Sequence, residues 1–273
     1  MKKGLRRMGL LILVPVFVIS TLLLLKQWYY GSSGSSSYEE ALKVASGLPK
    51  NPEPAEAPEE DKMPQTLWIP APVEGDPEME AMTRISLEAL REENPQVTGW
   101  IRIPGTRIDY PLMQGEDNDY YLNHTWNAQE NPLGAIFLEY RNSPDLTDYN
   151  TIVYGHNMND GSMFGNLRKY ASEYHWKNNP YIYLATDAGV WRYEIFAAYR
   201  AKVDSATYGL SFHQETTRAS FLIHALDSSV IQTKVVPEAN DRILTLSTCS
   251  GIGYSSRWVV QARLKMIQTE EAA

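Results

Sequence analysis

The chain has 273 residues with 25 basic and 33 acidic side chains, a formal charge of −8 and a pI near 5.2. That balance lacks the basic surplus with which proteins neutralise nucleic-acid phosphates, so nucleic acid is not an expected partner. The length allows one full-sized domain with appendages or two small ones, and a single cysteine excludes an internal disulfide framework and any thiol-rich zinc or iron–sulfur site.

In chain order, MKKGLRR carries four positive charges, and Met8 to Leu25 follow as an 18-residue run without charge. A bilayer core needs about 20 apolar residues, whereas a signal-peptide core has about 7–15. Residues 1–30 therefore read as an uncleaved signal anchor, a transmembrane helix; a cleaved signal peptide is the alternative. Basic residues before the run hold that side in the cytoplasm, so either reading exports the remainder. GSSGSSS, Gly31 to Ser37, reads as a flexible tether and Tyr38 to Ser46 as a short helix. Residues 51–80 hold nine acids against Lys62, and eight of the sixteen prolines lie from Pro49 to Pro77, the composition of an extended spacer over 31–77. Glu78 to Glu93 has the spacing of an amphipathic helix, stopped at Asn94-Pro95, and opens a domain over 78–273.

Beyond Pro95 the pattern becomes one of short strands rich in Ile, Val, Tyr, Trp and Thr. They are predicted over Val97–Ile103, Arg107–Met113, Gly134–Tyr140, Asn150–Tyr154, Tyr181–Thr186, Val190–Ala201, Arg242–Thr248 and Trp258–Met266. Helical signals are local, at Asp117–Leu122, Ser162–Tyr170 and about Ser211–Leu226. Eight strands in under 200 residues without regular βα alternation predict a mainly β fold, a barrel or sandwich with helical inserts.

Cys249 ends one strand and precedes Ser250-Gly251-Ile252-Gly253, where a rigid element presents a nucleophile to an open loop. The bland reading is a buried thiol acting as a small hydrophobe. A thiol titrates near 8.5, so activation needs a base or positive neighbours. His156 ends another β run before the turn-rich Asn157-Met158-Asn159-Asp160-Gly161, while His124, His175, His213 and His224 sit in contexts that suggest packing or surface. Arg257 opens the strand after Cys249; a return strand beside that of the cysteine brings its guanidinium to the thiol. Arginine does not deprotonate, so its role there is electrostatic, unless it forms an ordinary surface ion pair.

These motifs carry a family resemblance. NPQVTGWIRIPGTRIDYP from Asn94, DNDYYL from Asp117, GAIFL from Gly134, YGHNM from Tyr154, GSMF from Gly161 and TLSTC from Thr245, with Arg257 eight residues after the cysteine, resemble class B sortases over about residues 80–267. The resemblance implies an eight-stranded sortase-type β-barrel with an N-terminal helix, and a cysteine transpeptidase of Gram-positive cell surfaces. Its Cys–His–Arg site falls on Cys249, His156 and Arg257. Ser247 and Thr248 then shape the pocket floor or are ordinary strand packing. The implied substrates are exported proteins bearing a sorting motif cleaved after Thr, with an amine of a peptidoglycan precursor or pilin subunit as acceptor. No metal or organic cofactor is expected, and no calcium site of the class A type. Two other readings stay open at this point: a surface cysteine peptidase that hydrolyses its thioester, and a noncatalytic adhesin domain.

Overall fold

The computed structural model describes residues 2–47, 75–249 and 255–268, and of residues 2–15 and Cys249 the backbone alone. β-Branched and aromatic residues cluster in eight strands: β1 (Val97–Arg102), β2 (Asp109–Met113), β3 (Ile136–Leu138), β4 (Asn150–His156), β5 (Tyr181–Thr186), β6 (Gly189–Lys202), β7 (Ile243–Cys249) and β8 (Ser256–Gln268). These are the eight strands expected, with ends moved by a few residues. They close a barrel in the order β1-β2-β3-β4-β7-β8-β6-β5, which leaves no free sheet edge. The β2–β3 and β4–β7 pairs are parallel and the others antiparallel.

Alternation along β7 separates two cores. Leu244 and Leu246 join the main cluster with Val153, Val260 and Ala262, whereas Ile243 joins a second cluster with Phe196, Tyr199, Phe221 and Val259. The second cluster lies beneath α5 (Glu215–Ser228), so β7 is buried on both faces. Between its apolar positions runs a closed set of polar side chains. Thr245 donates to Asn150 Oδ1 at 2.6 Å, Gln261 donates to Thr245 at 2.9 Å, and Tyr199 donates to Gln261 at 2.9 Å. Asn150 then donates to the carbonyls of Thr207 and Gly209, tying the segment after β6 down over β4 and β7. Each of these buried groups finds a partner, which avoids the cost of about 1–3 kcal/mol for an orphaned one.

The N-terminal region differs from its sequence reading. Gly31 to Ser37 is not a tether but part of one helix, α1 (Lys2–Ala45), which absorbs the short helix expected from Tyr38. The small residues that suggested flexibility serve close approach instead: a Cβ on Gly34 would lie 2.7 Å from Leu133 Cδ2 and 3.2 Å from Asn131 Nδ2. Among the described residues no helix is long and apolar enough to cross a membrane. The described side chains of α1 begin at Val16, within the Met8–Leu25 run. Most of the acidic, proline-rich spacer lies outside the described residues.

The single helix expected over Glu78–Glu93 is two, α2 (Pro77–Met82) and α3 (Leu87–Glu93). Ser86 breaks it, since its hydroxyl caps α3 by accepting from Ala89 N while its own amide donates to Ala45 O, the last residue of α1. Asp76 caps α2 and also receives Arg192 Nη1 at 2.7 Å and the Tyr183 hydroxyl, latching the N-terminal helices to β5 and β6. The remaining helical signals shrink to 3₁₀ turns at Tyr120–Leu122 and Gly165–Ala171, the short α4 (Glu173–Asn178) is unanticipated, and α5 starts at Glu215 rather than Ser211.

Candidate active site

Strands β4, β7, β8 and β6 are consecutive in the barrel. In the parallel β4–β7 pair the register runs from Asn150 opposite Ile243 to His156 opposite Cys249. Residues opposite each other in a ladder share a face of the sheet, and neighbouring strands lie about 4.8 Å apart. On the other side β7 runs antiparallel to β8, from Ile243 opposite Arg263 to Ser247 opposite Val259. Beyond Ser247 the β7–β8 pairing stops, and Arg257, near the start of β8, is paired with Ala201 of β6. The sequence separation of 93 residues between His156 and Cys249 thus collapses to one interstrand spacing. The loop over residues 250–254 lies outside the described residues.

His156 is half-buried, and its Nε2 lies 2.7 Å from the carbonyl oxygen of Leu122. A carbonyl only accepts, so Nε2 carries the proton and Nδ1 is the nitrogen left for proton exchange. The chain after His156 folds back on it: Phe164 N donates to His156 O, and Asn157 bridges to Met163. Arg257 is half-buried. Two of the other histidines make ring contacts of their own. His124 stacks on Tyr120 at 3.9 Å and His175 packs edge-on to Tyr170, where burial, followed by the charge of Lys169, lowers its pKa.

Strand alternation divides the two residues expected at the pocket floor. Ser247 is fully buried and its hydroxyl lies 2.9 Å from that of Tyr208. Thr248 is buried and accepts from Trp258 N at 3.1 Å, a stitch between β7 and β8. Tyr208 was not legible as a site residue. It sits in the 3₁₀ turn Ala206–Tyr208, and only the buried polar set beneath that turn brings it over Ser247.

A second omission is Glu139, whose side chain is 1% exposed. It accepts from Arg141 Nε at 2.6 Å, Asn118 Nδ2 at 2.7 Å and the hydroxyl of Tyr154, two residues before His156 on the same face of β4. Burial pushes its carboxyl up, but the hydrogen bonds from Arg141 and Asn118 outweigh that and hold it below the usual carboxylate range. Among the described residues no three His, Cys, Asp or Glu side chains converge as metal ligands.

The model of the Sortase domain matches residues 101–265, all eight strands within a few residues of the two ends. The chain belongs to the sortase family, class B. It is 39% identical to Sortase B of Listeria monocytogenes over 166 residues, 61% of this chain and 68% of that one. The Staphylococcus aureus sortase B–substrate complex superposes with a TM-score of 0.64 at 31% identity, covering 66% of this chain and 85% of the other. A sortase B complexed with triglycine superposes with the same score and identity, over 66% and 86%. Class B sortases are cysteine transpeptidases, so this enzyme transfers an acyl group through a thioester; a noncatalytic adhesin is excluded.

Proposed function

We propose that His156, Cys249 and Arg257 together form the transpeptidation site. The observation that supports this is the β4–β7 register, in which His156 is opposite the chain's single cysteine, while Arg257 begins the strand that pairs with β7 on its other side. The Cys249 thiolate attacks the carbonyl that follows Thr in a sorting motif of an exported protein, forming a C–S bond. The C–N bond then breaks as the leaving amine takes a proton, and His156 Nδ1 supplies it. An incoming amine returns a proton to Nδ1, attacks the thioester and expels the thiolate. Arg257 supplies fixed donors and charge to the oxyanion or to the substrate backbone, a role worth roughly 3 kcal/mol. Splitting the exchange in two lowers each barrier. Ser247, buried beneath Tyr208, supports the end of β7 that carries the thiol.

The acceptor is an amine of a peptidoglycan precursor or of a pilin subunit; the relative that holds triglycine supports a peptide amine in that role. Transfer and hydrolysis are separated by adding such an amine to the enzyme with a sorting-motif peptide. Ligated product should replace free acid as the amine rises, and acid alone at saturating amine would establish a peptidase instead.

The basic N-terminus and the Met8–Leu25 run support a single-pass membrane protein with the barrel outside the cell. Protease added to intact protoplasts should then remove the barrel. Its survival there, with degradation on lysis, would place the domain on the cytoplasmic side.

A further inference from the structure

The 44-residue helix α1 does more than lead into the barrel, because its last turns hold the loop on which His156 rests. Asn131 Nδ2 donates to Tyr30 O and Ser33 Oγ, both at 3.0 Å, and Trp126 Nε1 donates to Ser37 O at 2.8 Å. The Tyr38 hydroxyl, buried, donates to Gly134 O at 2.5 Å. Towards the N-terminus of these contacts a cavity of about 970 Å³ separates Leu23, Lys26 and Gln27 from Asn123, Pro132 and Met158, so the grip is confined to residues from Tyr30 onward.

Gly134 is the joint between that grip and the histidine. Its φ of +64° favours glycine, and a Cβ there would lie 2.9 Å from Leu122 O and 3.0 Å from His156 Cδ2. Leu122 O is the acceptor of His156 Nε2, and the same loop is pinned by Ala135 N donating to Tyr121 O and Asn131 N to Asn123 O. Tyr38 reaches the other side as well. Its ring packs edge-on at 5.1 Å against Tyr110, whose hydroxyl accepts from Met163 N in the loop that follows His156.

We propose that Tyr38 of α1 is a positioning residue for catalysis: by fixing Gly134, and with it the Leu122 carbonyl, it keeps His156 in the tautomer whose Nδ1 exchanges protons. The helix that continues from the apolar N-terminal run is thereby coupled to the site. The inference rests on His156 as the proton carrier proposed above.

The test uses the full chain held in mild detergent, comparing wild type with Tyr38→Phe, which removes one hydroxyl and keeps the ring. Nitrogen NMR of His156 in alkaline buffer should show two well-separated resonances in the wild type, one protonated and one lone-pair nitrogen. In Tyr38→Phe they should move toward their mean as the tautomers mix. Turnover should fall about tenfold in kcat with KM unchanged, a fraction of the 10²–10⁴-fold that acid–base catalysis carries. Wild-type resonances together with wild-type kcat would overturn the proposal, as would a loss expressed in KM alone. Should Tyr38→Phe not fold, 4-fluorophenylalanine at position 38, which fills the space of the hydroxyl without donating to Gly134 O, reports the same two quantities. If His156→Gln keeps full activity, the reading of His156 as proton carrier fails, while the nitrogen resonances still decide whether α1 positions its ring.

Discussion

Cys249→Ala should reduce cleavage of a sorting-motif peptide to the level of peptide incubated without enzyme. The chain holds no second thiol to take over the attack, and without a covalent intermediate the exchange reverts to a single step with water as the only nucleophile. The fold should survive, because Cys249 is the last residue of β7 and the strand's register is set earlier, by Ile243 to Ser247 against β8 and by Asn150 onward against β4. Peptide cleavage followed by mass spectrometry, with thermal unfolding as the control for folding, checks both halves. Turnover of more than a few per cent in a folded variant would show that the nucleophile is not this thiol. A trapped acyl-enzyme in the wild type, absent from the variant, would locate the thioester directly.

His156→Gln should lower kcat by about 10²–10⁴-fold, the usual range for a positioned acid–base group. Glutamine is the informative replacement because its Nε2 amide can still donate to Leu122 O, as the ring Nε2 does at 2.7 Å. The variant therefore keeps the loop contact and loses only the titratable nitrogen. Both half-reactions should slow, since the same nitrogen gives a proton to the leaving amine and takes one from the incoming amine. Single-turnover acylation and amine-dependent deacylation, measured separately, check this. If only acylation slows, His156 serves thiol activation and another group handles the acceptor. A loss confined to KM would assign it to substrate binding.

The contrast between Ser247 and Thr248 shows what tertiary structure added at the site. Both precede the thiol in sequence, and nothing in the motif says which points into the barrel; the inside–outside alternation of β7 decides it, because Leu244 and Leu246 are claimed by the barrel core. Tyr208 and Glu139 were out of reach for a similar reason. Their partners are brought by a buried polar set spanning four strands and by hydrogen bonds across 15 to 21 positions of sequence, separations that no local pattern encodes.

What the sequence by itself determined is local and periodic. The eight strands follow from runs of β-branched and aromatic residues between turn formers, and the candidate nucleophile from a solitary cysteine at a strand end. The histidine follows from the β run that stops at His156. Each of these is a property of a few consecutive residues, so it survives in one dimension. Only the tertiary structure decided the order of strands around the barrel, which makes β4 and β7 parallel neighbours and sets His156 opposite Cys249. It also decided the state of Gly31 to Ser37. In isolation glycine and serine favour a flexible chain, but here the absence of side-chain bulk lets α1 pack within van der Waals contact of Leu133 and Asn131, and that contact outweighs the weak local preference.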